Sequence, residues 1–266
     1  MEGPRLGTRL WLYTNFDCNL ACDYCCAESK PNPLNGRRRL SVDVAQRAAE
    51  EFGGLGGREL LLTGGEPFLH PLLSDIVSAC SRFVPEPVVI LTNAMIFERG
   101  PRRTVLESLD PQRVILQVSL DSGTAALHDR HRGAGSFARA LSGIRLARTL
   151  GYRVKVAATI DSADTGDEVA LHTLLDAEDI APEDRLVRPV ARMGFASWGL
   201  PLSAAALQPE PTLAADGAWW HPVAVADPAM QVTSSPLPVA TVFAVVRATL
   251  NAQGDRSAAL HAFRCT

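Results

Sequence analysis

Cys18, Cys22 and Cys25 fall within Phe16-Asp17-Cys18-Asn19-Leu20-Ala21-Cys22-Asp23-Tyr24-Cys25, a CxxxCxxC spacing on one short polar loop. Gaps of three and two residues let a chain curl so that three thiolates face one metal centre. A zinc ion is one reading, but structural zinc sites take four ligands, usually as paired knuckles, and no second CxxC or HxxxH follows. A 4Fe-4S cluster on three cysteines is another, and it leaves one iron without a protein ligand and open to chemistry. Ordinary buried thiols are the third, since free cysteine is among the most buried residue types. The loop is polar and lies between a strand and a helix, not on an apolar face, which argues against this last reading. Cys26, Cys80 and Cys265 complete the set, with Cys26 expected to be a bystander and Cys80 a core residue. Four cysteines within nine residues are no disulfide framework, and the expected setting is the reducing cytoplasm.

The elements that position this loop follow from hydrophobic periodicity. Residues 8–14, 58–63, 87–92, 113–119, 152–160 and 184–190 are short apolar runs that read as buried strands. Between them, 41–52, 70–83, 101–109, 136–150 and 167–178 have helical spacing, the first opening on Ser41 as an N-cap. Strand and helix alternate, so the sheet is expected to be parallel with right-handed crossovers. The alternation stops near residue 192. Beyond it, seven prolines from Pro201 to Pro238 break the chain, and only 239–253 has helical character. The expected division is a barrel-like unit over 1–194 and an appendage over 195–266.

The 266 residues are 47% hydrophobic and 21% charged, the composition of a folded chain. A formal charge of −3 disfavours nucleic acid as a partner. The cations are almost all arginine, with only Lys30 and Lys155 as lysines, which reads as genome composition bias. The longest apolar run, Val239 to Val246, is far short of the roughly 20 residues of a membrane span, so neither a membrane nor a secretion signal is expected.

CNLACDYC, with an aromatic residue before its third cysteine, resembles the cluster-binding signature of the radical S-adenosylmethionine (radical SAM) enzymes. Thr63-Gly64-Gly65-Glu66-Pro67 after the second strand is similar to that family's GGEP motif. VSLD at 118–121, followed by HDRHRGAGSF at 128–137, resembles the fourth strand and its following helix. The resemblance covers roughly residues 8–192 and implies an α/β fold, an incomplete (β/α)6 parallel barrel with a C-terminal appendage. It also implies a 4Fe-4S cluster on Cys18, Cys22 and Cys25, whose open iron is chelated by the amino and carboxylate groups of S-adenosyl-L-methionine. By resemblance the cofactor is held by Tyr24 near the adenine, by the backbone of Gly64 and Gly65, and by Glu66 and Pro67 of the same motif. Ser119 and Arg132 would contact its ribose or carboxylate, Asn93 lies at the rim of the third strand, and Met193 lies where adenine rests on the main chain after the sixth. A flavodoxin- or ferredoxin-type reductant is implied as a partner.

What is made is less legible. One cysteine follows residue 80, too few for a Cys-ligated auxiliary cluster. No peptide-binding winged helix is expected in the seven residues before the first strand, so a small molecule or natural-product intermediate is the first expectation and a peptide the second. Epimerisation, rearrangement and oxidation all stay open, as does a non-catalytic iron-sulfur protein. Asp216-Gly217-Ala218-Trp219-Trp220-His221-Pro222 either closes the barrel over substrate or packs on its flank. Cys265 is a candidate hydrogen-atom donor of the kind used by some epimerases of the family.

Overall fold

The computed structural model describes residues 7–31, 38–161, 164 and 167–253. Strands β1 (Arg9–Asn15), β2 (Glu59–Gly64), β3 (Val88–Thr92), β4 (Val114–Ser119), β5 (Arg153–Ile160) and β6 (Arg185–Pro189) pair in chain order, all parallel. Helices α1 (Val42–Gly54), α2 (Leu73–Cys80), α3 (Pro101–Ser108), α5 (Ser136–Thr149) and α6 (Asp167–Ala177) carry the crossovers, and α4 (Ala125–Arg132) precedes α5. Periodicity does not find α4, because only His128 and Arg132 of its residues are buried and no apolar stripe marks it.

Strands β1 to β5 are largely buried on both faces, whereas β6 is half-buried along its length. Leu10, Leu12, Leu60, Leu62, Ile90 and Leu116 pack outward under the helices, whereas Trp11, Tyr13, Leu61 and Val89 face the barrel interior. This period of two is what sends alternate side chains to helix layer and lumen. The result is an incomplete (β/α)6 barrel.

The C-terminal residues extend the sheet. β7 (Thr212–Ala214) pairs in parallel with the outer edge of β1, and β8 (Gly217–Trp219) and β9 (Gln231–Thr233) follow antiparallel. Each is three residues long and set among prolines, so no alternating pattern betrays it. Helix α7 (Val239–Gln253) lies where periodicity places it and docks on α1. There the Phe52 and Phe243 rings are 6.0 Å apart, and the Val239 N–H donates to Glu51 Oε2 at 2.6 Å. The stretch 190–211 runs from β6 to β7 across the open side of the barrel, and Leu200, Leu202 and Leu207 join the interior cluster with Trp219, Trp220 and Val223. Among the described residues no helix is long and apolar enough to cross a membrane.

Candidate active site

The cysteine loop leaves β1 at Asn15 and is folded by its own short-range bonds. Cys25 N–H donates to Cys22 O at 3.1 Å and Glu28 N–H to Cys25 O at 3.1 Å, the tight turns that bring the thiols to one side. Leu20 N–H donates to Cys18 Sγ at 3.4 Å and Ser29 N–H to Cys25 Sγ at 3.4 Å. Asn93 Nδ2 lies 3.9 Å from Cys18 Sγ and donates to Asn19 Oδ1 at 2.9 Å, so the end of β3 steadies the loop. Donors on sulfur are among the groups that tune an iron-sulfur centre. Burial, then the Glu66 carboxylate, pushes the Cys18 thiol far above its usual range, and burial pushes Cys22 up to about 11. Both are protonated until a metal displaces the proton.

The Gly-Gly-Glu-Pro turn is fastened to the same loop. Gly65 N–H donates to Asn15 O at 3.0 Å and Glu66 N–H to Asp17 O at 2.8 Å. A Cβ on Gly65 would stand 2.2 Å from Asp17 O, so only glycine permits this approach. Glu66 is fully buried, with Oε1 accepting from Thr92 Oγ1 at 2.8 Å and Phe68 N–H at 3.1 Å, and Oε2 from Asn93 N–H at 2.8 Å. Burial nevertheless pushes its carboxyl up to about 7. Its side chain ties β2 to the end of β3, away from the cavity lining, and Pro67 opens the short helical turn Pro67–Leu69.

Half-buried Tyr24 joins buried Asp121 and Arg132 in a triad that fastens the loop to the other side of the rim. The Tyr24 hydroxyl donates to Asp121 Oδ2, Arg132 Nε donates to the same oxygen and Nη2 to Oδ1 at 3.3 Å, while Thr159 N–H reaches Oδ1 at 3.0 Å. The Arg132 guanidinium sits 5.6 Å from the Tyr24 ring centroid, a cation–π distance. Burial opposes the Asp121 carboxylate, but Arg132 outweighs it and holds the group below the usual carboxylate range. Burial also lifts the Tyr24 phenol well above its ordinary value. The rest of HDRHRGAGSF is structural. Asp129 Oδ1 accepts from Phe137 N–H at 2.8 Å and Oδ2 from Gly135 N–H at 2.6 Å, which fixes the α4–α5 turn, and His131 Nδ1 lies 2.9 Å from Asp23 Oδ2 on the loop.

These parts surround one cavity of about 160 Å³ at the carboxyl ends of the strands. Cys18, Cys22, Cys25, Tyr24, Gly64, Gly65, Asn93, Ser119 and Arg132 all line it. Met193 does not, but its segment passes beneath the cysteine loop, with Phe195 N–H donating to Cys25 O at 3.1 Å. Gly194 has φ +60°, and a Cβ there would meet Cys25 O at 2.3 Å. Cys26 lines the cavity too, its thiol pushed up to about 12 by burial, and Cys80 is core, donating to Ala45 O at 3.4 Å. Trp219, Trp220 and His221 are buried, and Pro222 and Val223 directly after them line the cavity. Cys265 lies outside the described residues. Sequence reasoning did not single out Trp11, Tyr13, Thr159 or Arg188, which also line it. The alternation along β1 and β6 was the available signal, since Leu12 and Val187 pack outward and their neighbours turn in.

Three thiols line one space, yet among the described residues no three His, Cys, Asp or Glu side chains converge as the ligands of a single ion do. Three thiolates lining one space are the donor chemistry of a polynuclear cluster, whose thiolates bind different irons. The donor set therefore fits a 4Fe-4S cluster.

The radical SAM superfamily model matches residues 12–172. AlbA, an antilisterial bacteriocin subtilosin biosynthesis protein of Bacillus subtilis, is 34% identical over 147 residues, 54% of this chain and 31% of its own. A probable GTP 3',8-cyclase of Archaeoglobus fulgidus is 32% identical over 150 residues, 56% of this chain and 48% of its own. The chain thus spans less than half the length of either relative. Among solved structures, Streptococcus suis SuiB bound to S-adenosylmethionine superposes with a TM-score of 0.60 at 16% identity, over 75% of this chain and 45% of that one. Methylornithine synthase (PylB) gives 0.52 at 15% identity, over 95% of this chain and 70% of that one. These two likenesses are of fold. With the family model spanning more than half of its residues, the chain belongs to the radical SAM superfamily, whose members use a 4Fe-4S cluster and S-adenosylmethionine.

Proposed function

We propose that the protein uses Cys18, Cys22 and Cys25 to hold the cluster, and acts on a small molecule or natural-product intermediate inside the barrel. The observation that carries this reading is the shared cavity, which three thiols enter together with Gly64, Gly65, Ser119 and Arg132. When bound, the reduced cluster and S-adenosylmethionine supply a 5'-deoxyadenosyl radical that takes a hydrogen atom from substrate. The chain's own part is to orient and to exclude water. Asn93 and the backbone at Gly64 and Gly65 face the cofactor's amino acid end, Ser119 and Arg132 its polar groups, and Tyr24 and the Met193 backbone its adenine. Residues 195–253 close the barrel over the substrate, and a flavodoxin- or ferredoxin-type protein in the cytoplasm supplies the electron. A peptide is the second reading, supported by the bacteriocin-biosynthesis relative and by the fold likeness to SuiB, one structure of which is bound to a precursor peptide. If Cys265 is the hydrogen donor to product, Cys265→Ala forms 5'-deoxyadenosine with substrate but accumulates no product; an unchanged yield removes that role.

Electron paramagnetic resonance of the dithionite-reduced, anaerobically reconstituted protein tests the assignment. One 4Fe-4S signal that shifts on adding S-adenosylmethionine is expected. A signal indifferent to it supports electron transfer instead, and bound zinc without iron contradicts the cluster.

A further inference from the structure

The wall of the cavity beside Cys25 contains a buried hydroxyl that the chain leaves without a partner. Ser29 is 2% exposed and lines the cavity, and its Oγ makes no hydrogen bond. Among the described residues it is the one such buried side-chain atom that belongs to the cavity lining. Buried hydroxyls are nearly always paired, so an orphan at a site marks a partner that comes from outside the chain.

The local backbone sets this position. Glu28 N–H donates to Cys25 O at 3.1 Å, and Glu28 has φ +54°, a left-handed conformation that turns the chain back toward the cysteines. An isolated bridge between Asp17 and Lys30 pins the chain again one residue after Ser29. Between these constraints Ser29 N–H donates to Cys25 Sγ at 3.4 Å, while Glu28 and Lys30 on either side of it are exposed. The turn thus buries one polar residue against a cysteine sulfur and sends its neighbours to water. Binding an iron-sulfur cluster makes the Cys25 thiol a thiolate and adds sulfides, all of them hydrogen-bond acceptors.

We propose that Ser29 is a positioning residue that tunes the cluster, its hydroxyl donating to a sulfur of the cluster or of Cys25. Reduction adds one electron to the cluster, and the hydroxyl keeps its proton. A donor on sulfur offsets the added negative charge, so the bond strengthens on reduction and makes the cluster easier to reduce. The inference rests on reading Cys18, Cys22 and Cys25 as cluster ligands, and it deepens that reading by naming a residue that sets the potential. S-adenosylmethionine also brings acceptors into the cavity, so the test must separate the two sources.

The test is an anaerobic redox titration with dithionite and mediator dyes, followed by electron paramagnetic resonance, on the reconstituted full chain without S-adenosylmethionine or substrate. At the potential where half of the wild-type clusters are reduced, Ser29→Ala is expected to show a reduced-to-oxidised ratio about twofold to fivefold lower, the scale of one hydrogen bond to a charged acceptor. Ser29→Thr keeps a hydroxyl on the same carbon and should restore most of the ratio. Iron content and circular dichroism of Ser29→Ala should equal those of the wild type, because the N–H bond to Cys25 is kept. An unchanged ratio in Ser29→Ala, a ratio in Ser29→Thr as low as that of Ser29→Ala, or loss of iron from Ser29→Ala overturns the proposal. A difference that shows only once S-adenosylmethionine is added also overturns it, giving the hydroxyl to the cofactor. A wild type that takes up no iron refutes the cluster reading and this proposal with it, whereas a full cluster whose ratio ignores Ser29 removes the serine's role and leaves the cluster.

Discussion

The two walls of the cavity are built on different principles. On the β1–β4 side, almost every group is held by a reciprocal bond that only one residue type can make. Gly65 alone fits against Asp17 O, Glu66 bridges Thr92 and Asn93, and Asp121 joins Tyr24 to Arg132 and Thr159. On the other side, β6 and residues 190–225 offer apolar packing, prolines and, in the cavity lining, one arginine, Arg188. The first wall's close fits leave little room for substitution. The second contains few positions with such demands.

Substitutions should separate the walls. The largest effect is expected from the triple variant of Cys18, Cys22 and Cys25 to alanine, whose iron content should fall from about four per chain to near zero, the all-or-none loss of one cluster. Cys26→Ala, in the same cavity but assigned no ligand role, should keep its iron. Asp121→Asn leaves the Arg132 guanidinium, 9% exposed, without a full countercharge, and should lower stability by about 3 kcal/mol in a denaturant melt. A loss below about 0.5 kcal/mol would mean the triad does not fasten the loop to the rim.

The two buried carboxylates of the first wall should respond oppositely to pH. Glu66 titrates near 7 when folded and near 4.5 when unfolded, so the folded state holds a proton the unfolded state has lost between those values. Stability should therefore fall as pH rises through that window, by on the order of 3 kcal/mol. Asp121 is depressed instead, so its contribution is present above its unfolded value of about 4 and is lost as the solution is acidified below it. Chemical denaturation of the reconstituted protein at a series of pH values measures both, and Glu66→Gln should flatten the upper window. A wild-type profile already flat from pH 5 to 7 would refute the burial account of Glu66.

The smallest effects concern glycines. Gly194→Ala forces a Cβ into Cys25 O at 2.3 Å from a left-handed conformation and should cost about 1–3 kcal/mol and weaken cluster retention. Gly54→Ala, at the end of α1 with nothing within 4 Å, should be neutral or stabilising by up to about 1 kcal/mol. Melts and iron content of the two proteins check this, and equal behaviour would deny the special fit of residues 193–195 under the loop.

The same contrast explains what could be read from the chain. Most of the six strands and five crossover helices announce themselves by a periodic apolar face, as in β1 and α1, and the first wall announces itself through its cysteines, its paired glycines and Glu66. Even there, that the Glu66 carboxylate accepts from the Asn93 N–H and the Thr92 hydroxyl is invisible until β2 and β3 lie side by side. Helix α4 escaped for want of an apolar stripe, and β7, β8 and β9 because three-residue strands are defined by their partners. Arg188 looked like one of many arginines, and only the outward packing of Val187 tells which way it points.

Anaerobic reconstitution with iron and sulfide, followed by dithionite and S-adenosylmethionine, tests the central claim most directly. Chromatography should find 5'-deoxyadenosine and methionine formed in equal amounts by the wild type and neither formed by the triple cysteine variant. A wild type that carries its full cluster, binds S-adenosylmethionine and yet forms no 5'-deoxyadenosine would contradict the account.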